Sequence, residues 1–241
     1  MKKRQRVRKG LLLVSLFLFP ITIYYFSPYL IIQGAIEGVV SGSMIVFGLQ
    51  FLSGMFFQRL FCGYMCPMGG LGELAFLVND HKPKQGIRNY IKYIIWVIWF
   101  GSIVILFIIG KNKIQINPFY YTDHGISIGN IYGFIIYYFI ILLFLSFSLL
   151  FGKRATCHYI CWMAPFMILG SKIGRLLHIP QLGIKAKQEN CINCHLCEKA
   201  CPMSVNICDM IKKGGIQSSE CIQCGACVDQ CPKNVLKYKM K

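Results

Sequence analysis

Long apolar runs separated by short basic segments make up most of the chain. The runs cover residues 11–32, 36–58, 91–110 and 131–151. At a rise of 1.5 Å per helical residue, the first run extends about 33 Å, enough to cross the hydrocarbon core of a bilayer. The pattern predicts four transmembrane helices, with a kink in the first helix at Pro20.

The basic residues predict which side of the membrane each segment occupies. The head at 1–10, the connection at 59–92 and the tail after residue 152 hold six, five and thirteen Lys or Arg, whereas the 111–130 loop holds two. Because cytoplasmic segments carry the excess of Lys and Arg, we expect both termini and every cysteine motif at the cytoplasmic side of the inner membrane. The net charge of the chain is +17. Because the basic residues lie mainly in the segments that flank the apolar runs, the charge is explained by membrane topology, and nucleic acid is not the expected partner.

The composition changes near Pro180 and Gly183, where turn-forming residues mark a boundary. Before this boundary, apolar residues recur at helical spacing and predict a helix that lies in the cytoplasmic interface. They are Ile168, Leu169, Ile173, Leu176 and Leu177. We therefore expect a basic head at 1–10, a membrane domain at 11–180 and a small polar domain at 184–241.

The polar domain contains a repeated cysteine run. The two copies are Cys191-x2-Cys194-x2-Cys197-x3-Cys201-Pro202 and Cys221-x2-Cys224-x2-Cys227-x3-Cys231-Pro232. This is the spacing of bacterial two-cluster ferredoxins, in which three close thiolates ligate one cluster and the fourth ligates the other. Zinc sites instead use two separated pairs of ligands, and cytosolic thiols stay reduced rather than forming disulfides.

Two [4Fe–4S] clusters are therefore expected in a small α+β ferredoxin-like domain, with short strands near 184–187 and 235–239. Cluster one is assigned to Cys191, Cys194, Cys197 and Cys231. Cluster two is assigned to Cys221, Cys224, Cys227 and Cys201. The thirteenth cysteine, Cys208, is interpreted as a small buried side chain.

A second cysteine pattern is duplicated inside the membrane domain. The copies are Arg59-x2-Cys62-x-Tyr64-x-Cys66-x-Met68 and Arg154-x2-Cys157-x-Tyr159-x-Cys161-x-Met163. Each copy follows a pair of predicted spans, so the domain is expected to consist of two pseudo-repeats. An axis along the bilayer normal would bring both cysteine pairs to one depth.

The role of these four cysteines has three interpretations. Thiols four residues apart share one helix face, so Cys62, Cys66, Cys157 and Cys161 together could hold a third metal or Fe–S centre. They could instead cycle as dithiol and disulfide, with Arg59 and Arg154 favouring the thiolates. The third interpretation is that the thiols are simply buried structural side chains.

The combination of paired spans, FCGYMCP at 61–67 and the two-cluster tail resembles the NapH/NosR-type membrane-bound 4Fe-4S proteins. The resemblance covers nearly the whole chain, although CHYICWMAP at 157–165 has no proline directly after its second cysteine. It implies electron transfer at the cytoplasmic membrane between a quinone pool and a redox protein partner.

Three further residues are candidates for proton handling. Glu37 lies at the outer end of the second predicted span, where an acid could accept protons from quinol. Asp123 and His124 adjoin each other in the outer loop and could act as a pair. For all three, a solvated position without a chemical role is the plainer interpretation.

The expected function is that of a membrane-anchored electron carrier, a subunit of an oxidoreductase system that links a membrane partner or quinone to two cytoplasmic clusters. The alternative is a redox sensor or an assembly factor for a membrane redox complex. A further alternative is a reductase of metal ions or thiols that uses the Cys-x3-Cys pairs.

Overall fold

The computed structural model describes residues 2–83, 86–110 and 114–240. The helices of the membrane domain are α1 (Lys3–Phe17), α2 (Phe19–Thr22), α3 (Pro28–Glu37), α4 (Gly42–Phe57), α5 (Leu60–Tyr64), α6 (Pro67–Val78), α7 (Ile91–Ile109), α8 (Ile131–Phe151), α9 (Ala155–Tyr159) and α10 (Ala164–Leu176). Between α3 and α4, β1 (Val39–Ser41) pairs in parallel with β2 (Gln115–Asn117) of the outer loop. The tail consists of β3 (Leu182–Ala186), α11 (Leu196–Lys199), α12 (Ile207–Ile211), β4 (Gly215–Ile216), α13 (Ala226–Gln230) and β5 (Leu236–Met240).

Two helical segments of the described chain are long and apolar enough to cross a membrane. They are Ile87–Ile109 and Ile131–Phe151, which correspond to the third and fourth predicted spans. Only 11% of the most apolar stretch of the first helical segment and 6% of that of the second are buried inside the protein. Their apolar side chains therefore face outward, as expected for helices in contact with lipid.

The first two predicted spans are not continuous helices. The first is bent by 61° between Lys3–Phe17 and Phe19–Phe26. Pro20 lacks an amide hydrogen and clashes with the preceding turn, which accounts for the predicted kink and for the short break beside it. The second predicted span divides between α3 and α4, and α4 extends only about 24 Å. The structure therefore supports membrane association but does not establish four transmembrane helices.

Helix α10 packs in parallel along α4. The rings of Phe47 and Phe166 lie 5.3 Å apart. A Cβ atom on Gly170 would lie 2.2 Å from the Phe51 carbonyl oxygen. The matching contact one turn later joins Gly174 and Met55. Both helices advance by four residues in the same direction, so α10 is a packed partner of α4. Its predicted position in the cytoplasmic interface stays a prediction.

Helix α6 packs in the same way on α8, the long helix of the second repeat. Met68, at the start of α6, lines a cavity with Phe144. Near the other end of α6, the Asn79 side-chain amide donates a hydrogen bond to the Leu149 carbonyl, at 2.7 Å. Each repeat therefore packs its short helix on the long helix of the other repeat, and this exchange brings the two Cys-x3-Cys segments together.

The tail is a small three-stranded antiparallel sheet of order β4-β3-β5 with short helices. The predicted pairing of the strands near 184–187 and 235–239 is present, since Ile184 lies opposite Tyr238. One hydrophobic core includes Phe47 and Met167 of the membrane domain together with Ile207 and Ile222 of the tail. The boundary at 180–184 is therefore a change in composition, and the packing is continuous across it.

Candidate metal centres

The thirteen cysteines line three separate small cavities of about 20 Å³, each with four cysteines of the two duplicated patterns, and Cys208 is a fifth at one of them. The outer site consists of Cys191, Cys194, Cys197 and Cys231. The inner site consists of Cys201, Cys221, Cys224 and Cys227. The membrane site consists of Cys62, Cys66, Cys157 and Cys161. None of these described cysteines forms a disulfide.

The outer and inner sites contain the same cysteines that the spacing of the two runs assigns to clusters one and two. The equivalent backbone positions adopt the same conformation, because φ is positive at Asn193 and His195 and again at Gln223 and Gly225. Successive residues in such conformations can turn their amide groups toward a common anionic centre. The repeated spacing has thus produced two loops of the same local shape.

The cysteine sets are too open for a single tetrahedral ion. Four thiolates bound to zinc at about 2.3 Å would lie about 3.8 Å from one another. Within the described part of the chain, one group of three possible ligand atoms lies within 4.8 Å of each other, and it consists of His195, Glu198 and Cys208. No three cysteine sulfurs of the described residues are this close together. The described cysteine sets therefore lack the close sulfur spacing of a single tetrahedral ion.

The group around Cys208 is explained by hydrogen bonds. Glu198 accepts one from the Cys208 backbone amide at 2.9 Å, and its other oxygen lies 3.0 Å from His195 Nδ1. Burial opposes ionisation of Glu198, but these hydrogen bonds lower its pKa overall. Cys208 is buried, as predicted, and it lines the outer site as a fifth cysteine.

Burial raises the pKa of two thiols at the inner site. Burial, with the neighbouring Cys224, raises the pKa of Cys201 to about 11. Burial likewise raises the pKa of Cys221 to about 12. Since metal-bound thiols are deprotonated, loading these sites must release protons.

The inner site lies directly against the membrane domain. A Cβ atom on Gly63 would lie 2.4 Å from the Ile222 carbonyl oxygen, so only glycine allows this approach. The Gln5 side-chain amide donates a hydrogen bond to the Cys224 carbonyl at 3.0 Å. Gly63 adjoins Cys62 in sequence, so the inner and membrane sites are neighbours.

Glu220, next to the inner site, joins the tail to the membrane domain. It forms buried ion pairs with Arg59 at 3.3 Å and with Lys92, and His158 Nδ1 lies 3.4 Å from it. Burial alone would raise the pKa of Glu220, but the contacts with His158, Arg59 and Lys92 lower it overall. A lowered pKa means that this stabilisation is present above the ordinary glutamate pKa and is lost only as the pH falls through the lowered value.

A second acid of the tail, Asp229, pairs with α1. Arg4 Nε donates a hydrogen bond to it at 3.0 Å, and Gln5 donates another at 2.7 Å. Burial opposes ionisation, but these contacts lower the pKa of Asp229 overall. The basic head is therefore a structural part of the contact with the inner site.

The membrane site is lined by one Cys-x3-Cys pair from each repeat. Its other walls are mostly apolar: Met68, Phe144, Trp162 and Met163, with Thr156 and Arg59. Cys62 Sγ lies 3.9 Å from Met167 Sδ. Three of the four cysteines are buried, and Cys161 is partly exposed.

Arg154 ties the two repeats together beside the membrane site. It donates hydrogen bonds to the carbonyls of Cys62 and Gly69, each at 3.1 Å, and to Glu73 at 2.9 Å. Glu73 also forms a bidentate pair with Arg8, with both distances 2.9 Å. Two guanidinium groups therefore share one buried carboxylate.

Several buried guanidinium N–H groups near the membrane site have no hydrogen-bond acceptor within the described residues. They are Nε and Nη2 of Arg59 and Nε of Arg154. A buried donor without an acceptor is costly, and an anionic group at this position would supply one.

The candidate proton-handling residues lie elsewhere. Glu37 is exposed at the end of α3, and α4 separates it from Arg59 by about 24 Å. Asp123 and His124 contact each other at 2.7 Å, but both are exposed in the outer loop. None of the three contributes to a cysteine site.

Sequence reasoning missed Gln5, Arg8, Glu73 and Glu220, which surround the inner and membrane sites. One signal was available: Glu73 is a lone acid within the apolar segment that follows Cys66. A charge in such a segment is costly unless it is paired. The identity of its partners depends on packing across the chain and has no local signal.

The comparisons with known proteins agree with this distribution of cysteines. A family model described as a 4Fe-4S dicluster domain matches residues 190–236, which hold the outer and inner sites. A model described as a 4Fe-4S binding domain matches twice, over 40–88 and 134–180. Each of these two matches contains one Cys-x3-Cys pair. The chain carries 4Fe-4S ferredoxin-type domains.

Two uncharacterized proteins of Methanocaldococcus jannaschii are similar to this chain. MJ0750 is 27% identical over 75% of this chain and 72% of its own length. MJ0749 is 26% identical over 80% of this chain and 70% of its own length. The methylamine utilization ferredoxin-type protein MauN of Methylobacillus flagellatus is 23% identical over 82% and 67% of the two chains. No solved structure matches.

These matches and the two cysteine runs identify an iron–sulfur electron-transfer protein. The expectation of 4Fe-4S binding, made from cysteine spacing, is confirmed at this level. The ligand sets, the number of clusters and the membrane partner remain predictions.

Proposed function

We propose that the chain is a membrane-anchored electron carrier with three [4Fe–4S] clusters, one at each cysteine site. The observation that carries this proposal is that the cysteines of the two duplicated patterns lie in three separate sets of four, with Cys208 as an additional cysteine at the outer site. Two sets follow from the ferredoxin runs. The third takes one pair from each segment that matches the 4Fe-4S binding model.

The residues of the membrane site fit an Fe–S cluster better than an uncharged dithiol. The unpaired N–H groups of Arg59 and Arg154 are suited to the thiolate and sulfide acceptors of a negatively charged cluster. Arg59 already forms a side-chain hydrogen bond with Cys62, and a cluster would supply acceptors for the remaining donors as well. This favours the first of the three interpretations of Cys62, Cys66, Cys157 and Cys161.

A [4Fe–4S] cluster, when bound, supplies one-electron transfer. The protein supplies the arrangement of the sites. Cys201 and Cys231 cross between the two tail sites, and Gly63 places the inner site against the membrane site. The outer, inner and membrane sites therefore form a series from the solvent-exposed end of the tail to the membrane domain.

The residues around the membrane site have two roles. Arg59 and Arg154 provide buried positive charge, which offsets the charge of four thiolates. Phe144, Trp162 and Met163 exclude water and leave an apolar wall. We propose that a membrane redox partner, of the quinone class or a protein, exchanges electrons at this wall, with both chain termini on the cytoplasmic side.

Glu37 is not a good proton acceptor for a quinol at that wall. It lies at the other end of α4, about 24 Å away along the helix. A proton released at the membrane site would therefore need another acceptor.

The experiment is a count of iron and acid-labile sulfide in anaerobically purified protein. We expect about twelve iron atoms per chain, four for each of three clusters. The variant with Cys62, Cys66, Cys157 and Cys161 all changed to Ser should retain about eight. Cys208→Ser is the matched control, since Cys208 is a buried cysteine that lines the outer site but belongs to neither cysteine run, and it should retain about twelve.

Eight irons in both the unmodified protein and the four-serine variant would contradict the third cluster. The membrane cysteines would then be thiol redox groups or structural side chains. Fewer than eight irons in the unmodified protein would contradict the assignment of the tail as well.

A further inference from the structure

Each of the two cysteine runs of the tail contains a loop, and the two equivalent loops lie in different surroundings. The outer loop is residues 192–196 and the inner loop is residues 222–226, thirty positions later. Their backbones match, with φ of 50° at Asn193 and 53° at Gln223. Any difference in what they contact therefore comes from their side chains and their position in the fold.

The inner loop is covered and the outer loop is exposed. Ile222 is 2% exposed, whereas its equivalent, Ile192, is 58% exposed. Leu196, at the end of the outer loop, is also exposed. Cys194 is the one cysteine among the thirteen described that is classed as exposed. The outer loop thus presents apolar surface directly beside a cysteine site.

The charges beside the two loops are different. The inner loop is flanked by Glu220 and Asp229, which pair with basic residues of the membrane domain and the head. The equivalent positions beside the outer loop are Asn190 and Lys199. The inner interface joins acids of the tail to a basic surface, and the outer loop carries the opposite charge at the equivalent of Asp229.

The rest of the described tail surface is basic as well. Glu220, Asp229 and Glu198 are engaged in the contacts described above, which leaves Glu189 and Asp209 as its exposed acids. Eight lysines of the described tail are exposed: Lys185, Lys187, Lys199, Lys212, Lys213, Lys233, Lys237 and Lys239. Lys233 lines the outer site itself.

We propose that the outer loop is the docking surface for an acidic redox protein, whose carboxylates pair with Lys199 and Lys233 around an apolar contact with Ile192. The proposed contact resembles the inner interface with the charges reversed: at the inner interface acids of the tail pair with basic residues, and at the outer loop lysines of the tail would pair with acids of the partner. Complementary charge of this kind steers encounter and raises the association rate. The proposal rests on the proposed function, because docking here serves electron exchange at the outer site.

The exchange is one electron, and no covalent bond forms or breaks. With a reduced flavodoxin as the acidic partner, its anionic flavin hydroquinone becomes the neutral semiquinone and no proton moves. The electron passes to the outer site, where a bound cluster would become more negative by one charge.

The test is stopped-flow oxidation of reduced, strongly acidic flavodoxin by the iron-loaded full chain in phosphatidylcholine nanodiscs. We expect Lys199→Asp, which installs the residue type of the inner loop, to lower the second-order rate constant about tenfold at low salt. The difference should shrink at high salt, because the steering is screened. Ile192→Ser should slow the reaction at both salt concentrations.

Lys172→Asp is the matched control, since Lys172 is an exposed lysine on α10, outside the tail. It should leave the rate constant unchanged. Equal rates for Lys199→Asp and the unmodified chain, or an equal loss in Lys172→Asp, would overturn the proposal. So would loss of a dimer in Lys199→Asp by light scattering, which would make the loop a contact between copies of this chain.

Failure of the docking proposal is distinguishable from failure of the proposed function. Dithionite, a small reductant that needs no protein docking, should reduce the clusters of every variant equally. If dithionite reduces the clusters and Lys199→Asp has the same flavodoxin rate constant as the unmodified chain, only the docking proposal is wrong. If no cluster is reversibly reduced, the electron-carrier function is wrong.

Discussion

The inner and outer sites have the same cysteine spacing and the same loop backbone, yet one is enclosed and the other is open. Glycine at position 63 and the acids Glu220 and Asp229 hold the inner site against the membrane domain. The outer site carries Asn190 and Lys199 instead, and it remains at the surface. The motif determines the local ligand geometry, and the residues beside it determine what the site contacts.

The largest expected effect comes from Glu220→Gln, which removes the carboxylate shared by Arg59 and Lys92. Breaking a buried ion pair from one side costs about 3–5 kcal/mol, because the remaining charge is left uncompensated. We expect a lower melting temperature and faster hydrogen exchange at residues 222–226. The exposed Glu189 provides the matched Glu189→Gln control, and equal exchange in both variants would show that Glu220 does not hold the inner site in place.

A smaller effect is expected from Gly63→Ala, which probes the close approach to the inner loop without changing charge. The new Cβ would lie 2.4 Å from the Ile222 carbonyl oxygen, so the loop must move away. Overpacking of this kind costs about 1–3 kcal/mol. Thermal unfolding and exchange at the inner loop measure it.

Gly48→Ala is the control for this change, since a Cβ there meets nothing within 4 Å. Unchanged stability in Gly63→Ala would mean that the inner loop is not in close contact with α5.

The smallest expected effect is on reduction potential. Arg8 is buried near the inner site and makes up part of its positive surroundings, whereas the outer site has exposed lysines. Buried positive charge favours the reduced, more negative state of a cluster. Arg8→Gln should therefore lower the potential of the inner site and leave that of the outer site unchanged, by spectroscopic redox titration.

Arg8→Lys keeps the charge and is the comparison for this titration. A tenfold change in the ratio of reduced to oxidised cluster corresponds to about 59 mV for one electron. Equal shifts at both sites, or the same shift in Arg8→Lys, would mean that the charge of Arg8 does not distinguish them.

Much of the tail could be predicted from sequence because its information is local. The spacing of Cys191 to Cys201 and of Cys221 to Cys231 places ligands on one short loop, and the crossing of the fourth cysteine follows from the motif. The strand pairing around Ile184 was predictable for the same reason. The membrane spans were less so, since Pro20 and the short α4 interrupt runs that composition alone presents as continuous.

The duplicated Cys-x3-Cys pattern was visible in the sequence, but its meaning was not. Parallel packing of α10 on α4 and of α6 on α8 brings Cys62 and Cys157 to one cavity. Close glycine contacts such as that of Gly170 with Phe51 make the packing possible. No single segment contains that information.

The sequence by itself determined the chemistry of this protein: cysteine runs suited to Fe–S ligation, apolar runs long enough for membrane helices, and a surplus of basic residues. Only the tertiary structure decided that the four membrane cysteines share one site, that Glu73 and Glu220 have buried cationic partners, and that one ferredoxin loop is covered while its equivalent is exposed. The physical reason is the distance along the chain over which each property is determined. Ligand spacing and hydropathy act over a few residues, whereas burial and ion pairing depend on segments as distant as Gln5 and Cys224.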